Sequence, residues 1–449
     1  MARALVASVL VVLAAAGGRG AAATPAPLGS CGPIARRHEA IEVRWTTLKR
    51  LGPVPLGHVG LVTMREGRIV PIPLQIDERQ GRKIALAEGD EPSTDGTPGV
   101  LDPDDLLVFL PCDAGARTTA EALAAAVPGL VTWREIQLDD PLDGHRGFAY
   151  VVVTEAPPIS ARRYVAYDPK DDTVEAAAYR MDMTHALPSS FALAMRGPLG
   201  PNLLDGFRLR AEATLLGNLA TLRLTEDGAR HTLIAWKAGA VRIVRRSRHD
   251  VRLPGIGVHI SAGVATTAFY PLHVFGPGAL KLPISPRILF RDIQGMGGVD
   301  LRDLRGWRFV AAGTPPDGFA IDGAMDDLER AFTADGTWFA LVHDDEALLV
   351  TITLSENLAR AIPFGIVYLD DAQRRDPPER EPGSMPLVGF RGRHLEALTA
   401  DRYRFDLRVF LLPGYRPGDA ARVLAERDRP VVPTISAPPL LATAPASPR

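Results

Sequence analysis

Short segments in which apolar and polar residues take turns set the limits on what this chain can become. Ile41-Glu42-Val43-Arg44-Trp45 alternates strictly, and residues 58–64 do so more loosely. Glu66-Gly67-Arg68 then turns the chain into 69–76. Successive strand residues point to opposite faces, so such a pattern buries one face and wets the other. Further strands are expected at 106–110, 133–138 and 148–154. A second series runs through 207–216, 219–225, 231–236, 241–248, 258–267 and 269–275. Later ones lie at 307–311, 338–342, 348–354, 364–368 and 403–412. Pro71 and Pro73 mark the 69–76 strand as an edge or a bulge, because proline cannot donate to a ladder. Thr225-Glu226-Asp227-Gly228 reads as a hairpin turn. Helical spacing is confined to 118–126, 326–332 and 417–426, and no repeat of fixed period appears. The expectation is an all-β chain of two antiparallel β-sandwich domains with few short helices. A domain over 32–160 is followed by a larger one over 161–432, and 433–449, rich in Pro, Ala and Ser, reads as a disordered tail.

Composition narrows the class. The 449 residues include 42 glycines and 39 prolines, above the usual share but below the level that marks disorder. Lys and Arg number 51 against 53 Asp and Glu, so no global field draws the chain to nucleic acid. Residues 1–23 read as a signal peptide: Arg3, an apolar run from Ala4 to Ala16, and an Ala21-Ala22-Ala23 cleavage site. That run is shorter than the roughly 20 residues of a membrane span, and no other stretch approaches this length. Cleavage removes Arg3 and Arg19, taking the net charge from −2 to about −4. The expected location is exported, periplasmic or extracellular. Leu28-Gly29-Ser30-Cys31 resembles a lipoprotein box, yet it lies beyond the apolar run.

The chain has two cysteines, Cys31 and Cys112, and two readings stand for them. In an oxidising compartment they are a disulfide candidate; otherwise they are two unrelated thiols. A bridge would close 81 residues, worth roughly 4–5 kcal/mol in the loop-entropy model.

Chemistry-bearing residues are sparse. Aspartates stand in adjacent pairs six times, most tightly at Asp102-Pro103-Asp104-Asp105. Asp102, Asp104 and Asp105 could offer the oxygens that Ca²⁺ takes, or could simply shape a turn; no other cofactor is suggested. Arg245-Arg246-Ser247-Arg248-His249 is the densest basic stretch, with His231, His259 and His273 in or beside neighbouring strands. Arginine can hold a carboxylate by two parallel bonds, histidine titrates near neutral pH, and tryptophan offers a flat ring. A ligand site is therefore expected at Arg246, Arg248, His249 and His273, with Trp236 as a stacking platform. The competing reading is that both arginines pair with acids nearby. Metalloprotease, nucleotide-loop, dinucleotide and serine-elbow motifs are absent.

Three segments together carry a resemblance: residues 71–78 (Pro-Ile-Pro-Leu-Gln-Ile-Asp-Glu), 102–109 (Asp-Pro-Asp-Asp-Leu-Leu-Val-Phe) and 237–246 (Lys-Ala-Gly-Ala-Val-Arg-Ile-Val-Arg-Arg). They resemble exported bacterial β-sandwich proteins of the rhamnogalacturonan-lyase-like and galactose-mutarotase-like supersandwich group. The resemblance covers about a third of the chain and implies a carbohydrate-facing sandwich in the cell envelope. It places no catalytic residue of any lyase. The function expected is binding or processing of a polysaccharide; the alternative is a scaffold that binds another envelope protein.

Overall fold

The computed structural model describes residues 24–48, 53–94, 96–215, 220–252, 259–333, 335–375 and 381–436. Residues 1–23, where a signal peptide is expected, and residues 437–449 lie outside the described residues. Strand Ile41–Arg44 buries Ile41 and Val43 and exposes Glu42 and Arg44, as its alternation requires. It pairs with Leu106–Phe109, which pairs in turn with Gln75–Asp77. Facing this small sheet is a second one in the order Val432–Ser436, Thr132–Asp139, Arg146–Val153, Val59–Arg65, Arg68–Pro71. Ile41, Val43, Leu61, Leu107, Phe109, Ile136 and Val151 form the core between them. Each such side chain contributes roughly 1.5–3 kcal/mol by leaving water. Arg68–Pro71 is an edge strand, where Pro71 does no harm.

The expected disordered tail over 433–449 needs correction at its start. Val432–Ser436 is a strand, with Ile435 opposite Ile136 and Thr434 opposite Gln137. It too is an edge strand, so Pro433 costs the ladder nothing it needs. The chain's late residues thus complete the sheet of its first domain.

The larger unit is built on a nine-stranded sheet. In spatial order it runs Ala229–Ala238, Ile243–Arg252, His259–Phe269, His273–Lys281, Arg402–Pro413, Glu346–Leu354, Trp338–His343, Arg308–Ala311, Phe319–Ala320. One face shares a core with two further sheets. The first is the meander Val165–Asp168, Thr173–Ala176, Tyr179–Thr184, Leu187–Leu193. The second runs Thr221–Leu224, Leu204–Leu215, Phe290–Leu301, Leu387–Gly392, Phe364–Leu369. Phe309, Phe339, Phe390 and Tyr368 stack through this core. On the sheet's other face, helix Asp419–Asp428 sets Ala420 and Val423 against Leu349 and Phe410.

The remaining helices are short: Ala120–Ala126, capped by Thr119; Asp327–Ala331, with a capping box of Asp326 and Glu329; and Glu356–Ala361. Among the described residues no helix is long and apolar enough to cross a membrane. The architecture is all-β with few helices.

The two units meet where the three recognised segments converge. Gln75 Oε1 accepts from the Val241 and Arg242 amides at 3.1 and 2.9 Å. Arg242 donates from Nε and Nη2 to Asp77 Oδ2 at 2.9 and 2.6 Å, and Lys237 Nζ donates to the Ile76 carbonyl at 2.6 Å. A Cβ on Gly239 would stand 1.8 Å from Gln75 Oε1, so this approach requires glycine. Cys31 and Cys112 form a disulfide, tying the N-terminal segment to the first domain.

Candidate functional site

The five residues expected to share one surface do not. Arg246 and Arg248 do point the same way, two apart on their strand. Both lie under the stretch 84–93 of the first domain: Arg246 donates to the Ile84 carbonyl at 2.8 Å, and Arg248 pairs with Glu91 at 2.6 Å. His249 and Trp236 sit on the opposite face. Trp236 stands opposite Arg245 and meets Tyr167 edge-on at 5.9 Å, and Arg245 pairs with Asp172 at 2.5 Å. His273 is buried elsewhere, stacked on Tyr270 at 4.1 Å, and burial first of all holds its imidazole well below the ordinary value. The physical reason is parity: residues 246 and 248 share a face that residue 249 cannot share.

The tryptophans offer no platform of the kind expected. Trp45 and Trp307 are core, and Trp338 packs against the cluster under helix Asp419–Asp428.

The aspartate cluster turns inward. Asp105 Oδ1 accepts from the Arg79 amide at 2.8 Å and Oδ2 from the Asp102 amide at 2.9 Å, while Asp102 Oδ1 accepts from the Asp104 amide at 3.0 Å. Asp102 and Asp105 thus serve backbone donors, and Asp105 is wholly buried. Among the described residues no group of three or more His, Cys, Asp or Glu is placed to hold a metal ion. These bonds are those of a turn.

What the fold does assemble is a groove of 1120 Å³ over the outer face of the sheet that carries Leu204–Leu215 and Leu387–Gly392. Cross-strand register builds its floor. Arg210 stands opposite Met296, Met296 opposite Arg391, and Arg391 opposite Gly365. The next row is Arg223, Glu212 and Gln294. The row on the other side carries Gly298 and Gly389, and neither can bear a side chain: a Cβ would lie 2.4 Å from Val388 O or Gly297 O. Residues 323–333, including helix Asp327–Ala331, form a wall with Met325, Arg330 and Thr333. The opposite sheet face holds Val388, Phe390, Ile366 and Tyr368 in the core.

Charge in the groove is unevenly neutralised. Arg210 pairs with Glu226, Arg223 with Glu212 at 3.2 Å, and Arg330 with Asp327 at 3.1 Å. Arg391 forms no ion pair among the described residues, and its buried Nε has no hydrogen-bond partner. Burial first, then the like charge of Arg393, lowers its guanidinium from the ordinary arginine value; Asp335 works the other way without pairing with it. Arginine still carries its proton at any physiological pH. A half-buried cation aimed into a groove is an arrangement an anion would stabilise.

Acid–base equipment is thin. Glu329, raised by burial, lies at the wall, but Oε2 accepts from the Asp326 amide and Oε1 from the Tyr368 hydroxyl. The described lining includes no His, Lys, Cys or Ser.

Sequence reasoning missed this groove. Strand Leu387–Gly392 reads Leu-Val-Gly-Phe-Arg-Gly and is followed by Arg393; its glycines hid an alternation that puts Val388 and Phe390 inside and Arg391 outside. The stretch Gly295-Met296-Gly297-Gly298 had carried no meaning on its own.

The chain matches no family model and no curated protein.

One further cluster lies on the face shared by His249 and Trp236. His231 and His249 stand directly opposite each other on adjacent strands, Nδ1 to Nδ1 at 2.5 Å, and His249 Nε2 is 2.9 Å from Ser247 Oγ. Burial, joined by the neighbouring imidazole, pushes His231 down to about 4, and burial lowers His249 as well.

Proposed function

We propose that this is an exported protein that binds an anionic oligosaccharide in the groove without breaking it. The carrying observation is Arg391: a half-buried guanidinium on the groove floor with no ion pair among the described residues. From the strand of Arg210 to that of Val367 the floor spans about 14 Å, three strand spacings, which suits a short oligosaccharide. Polar Gln294, Gln373 and Thr333 line the same space and can serve hydroxyl groups. The aromatic side chains of the described lining, Phe332 and Tyr368, pack against Phe309, which favours charge over ring stacking as the means of recognition. Binding is favoured over processing because the carboxylates of the described lining are engaged: Glu212 pairs with Arg223, Glu329 accepts from the Asp326 amide and the Tyr368 hydroxyl, and Asp371 Oδ1 accepts from the Gln373 amide. Export is supported by the leader-like first residues and by the disulfide, which persists in oxidising compartments. The resemblance to supersandwich proteins points the same way.

Affinity electrophoresis against a polyuronate, a sulfated glycan and a neutral glucan tests this reading. An acidic polymer should retard the protein, less so at high salt, and Arg391→Ala with Arg393→Ala should weaken binding about tenfold or more. Equal retardation by the neutral glucan, or an unaffected double variant, would overturn it. A second reading, docking of another envelope protein, draws on the exposed Leu280, Ile284, Ile288 and Leu289. It predicts that Ile284→Asp with Ile288→Asp abolishes a protein contact and leaves glycan binding intact.

A further inference from the structure

The facing histidines suit a ligand that the groove does not. We propose that His231 and His249 form a two-histidine site for a borderline divalent transition-metal cation of the Zn²⁺ type, held through both Nδ1 atoms and completed by water. His231 and His249 are cross-strand partners, so the sheet itself fixes their approach. Their Nδ1 atoms face each other at 2.5 Å, with the rings at 68° and centroids 4.7 Å apart. Imidazole nitrogens bind Zn²⁺ at about 2.0–2.1 Å, so a tetrahedral angle needs Nδ1 atoms roughly 3.3 Å apart. Parting the rings by somewhat under 1 Å, through side-chain torsion alone, admits the ion.

A second, independent contact points to the same role. Ser247 Oγ lies 2.9 Å from His249 Nε2 and is placed to accept its N–H. A metal-bound histidine characteristically donates its other ring N–H to such an acceptor, which leaves the lone pair on Nδ1. In the metal-free pair one ring donates from Nδ1 and the other accepts. On binding, the donor's proton moves to its Nε2 by way of solvent, so both Nδ1 lone pairs meet the cation and no net proton is released. A register shift falls between His249 and Asp250, and the Asp250 charge acts on both imidazoles, favouring a cation there. Both histidines are half-buried, which leaves room for water to complete the shell.

The test is calorimetric titration of the full chain, without added histidines, with ZnCl₂ and with CaCl₂ as a hard-ion control. One Zn²⁺ per chain should bind and Ca²⁺ should not bind there. His231→Gln with His249→Gln should abolish that binding, and Ser247→Ala should weaken it about tenfold. Because a variant can lose stability, the wild type supplies a second measurement. Zn²⁺ should protect His231 and His249, and not the exposed His145, from diethyl pyrocarbonate, as read by peptide mass. No Zn²⁺ binding by the wild type, undiminished binding by the double variant, or unprotected His231 and His249 would each overturn the proposal.

Discussion

Glu39 is a residue whose chemistry follows from the contact of its segment with Val431. Its Oε1 accepts the Val431 amide at 2.8 Å, while Oε2, 3.9 Å from Arg36 Nη1, is buried without a hydrogen-bond partner. Burial outweighs the Val431 bond and the Arg36 charge, and pushes the carboxyl from 4.5 up to about 7. A carboxyl raised in the folded state favours folding below its unfolded pKa, and this advantage fades as pH rises from 4.5 through 7. Glu39→Gln should therefore flatten the pH profile of stability in that window and gain up to about 3 kcal/mol above it. Urea unfolding of both proteins at pH 4.5 and 8 reads the difference directly.

The opposite logic holds for Asp77. Burial alone would raise it, but the Arg242 and Lys237 charges and the Gln75 bond bring it below the usual carboxylate value. Its contribution is present at neutral pH and is lost as acid protonates it. Arg242→Ala leaves Asp77 buried and short of its main partner, and should cost about 3–5 kcal/mol. A shift of the urea midpoint smaller than 1 kcal/mol would mean the joint does not depend on this pair.

At the scale of elements, legibility followed periodicity. Ile41–Arg44 was visible because one face is core and the other is wet, and Leu106–Phe109 because a short unbroken apolar run suits a strand buried on both faces. Helix Asp327–Ala331 lies within the helical spacing at 326–332, and the structure adds a capping box of Asp326 and Glu329. Strand Leu387–Gly392 was not visible, because glycine at 389 and 392 broke the pattern that Arg391 and Phe390 complete. Val432–Ser436 was hidden by Pro433 and by the compositional drift that follows it. Its pairing with Thr132–Asp139 makes a clear prediction. Ile435→Asp puts a charge against the first core and should cost about 1–3 kcal/mol. Hydrogen exchange should then quicken at residues 135–139, and unchanged exchange there would contradict the pairing.

The candidate site was legible in chemistry but not in place. The proposed anion holder is an arginine, the residue type the sequence reading sought, but it lies outside the densest basic stretch. Arg246 and Arg248 are occupied by the 84–93 stretch, which also covers the open edge of Ala229–Ala238 through Glu88 and Trp236. Edge strands invite stray pairing, and here the first domain supplies the cover. Arg391 is the one charged residue of strand Leu387–Gly392, and its lack of an ion pair among the described residues is a property of three dimensions.

For the whole molecule, the disulfide and the joint act on the same unit. Cys31–Cys112 closes 81 residues, and reduction should lower the stability of the first domain by roughly 4–5 kcal/mol in the loop-entropy model. Chemical unfolding with and without reductant measures it, with Cys31→Ser as the covalent control. The segments that carried the resemblance, 71–78, 102–109 and 237–246, prove to be the seam between the two units. Across it their polar side chains bind one another.

The central claim is that the groove, and not the basic stretch at 245–249, receives an anionic oligosaccharide. Hydrogen–deuterium exchange of the full chain with and without an acidic oligosaccharide locates the ligand. The account predicts slower exchange at residues 294–296, 330–333 and 391–393, lost in Arg391→Ala, with 243–250 unchanged. Protection centred on 243–250, or protection at the groove that persists in Arg391→Ala, would contradict it.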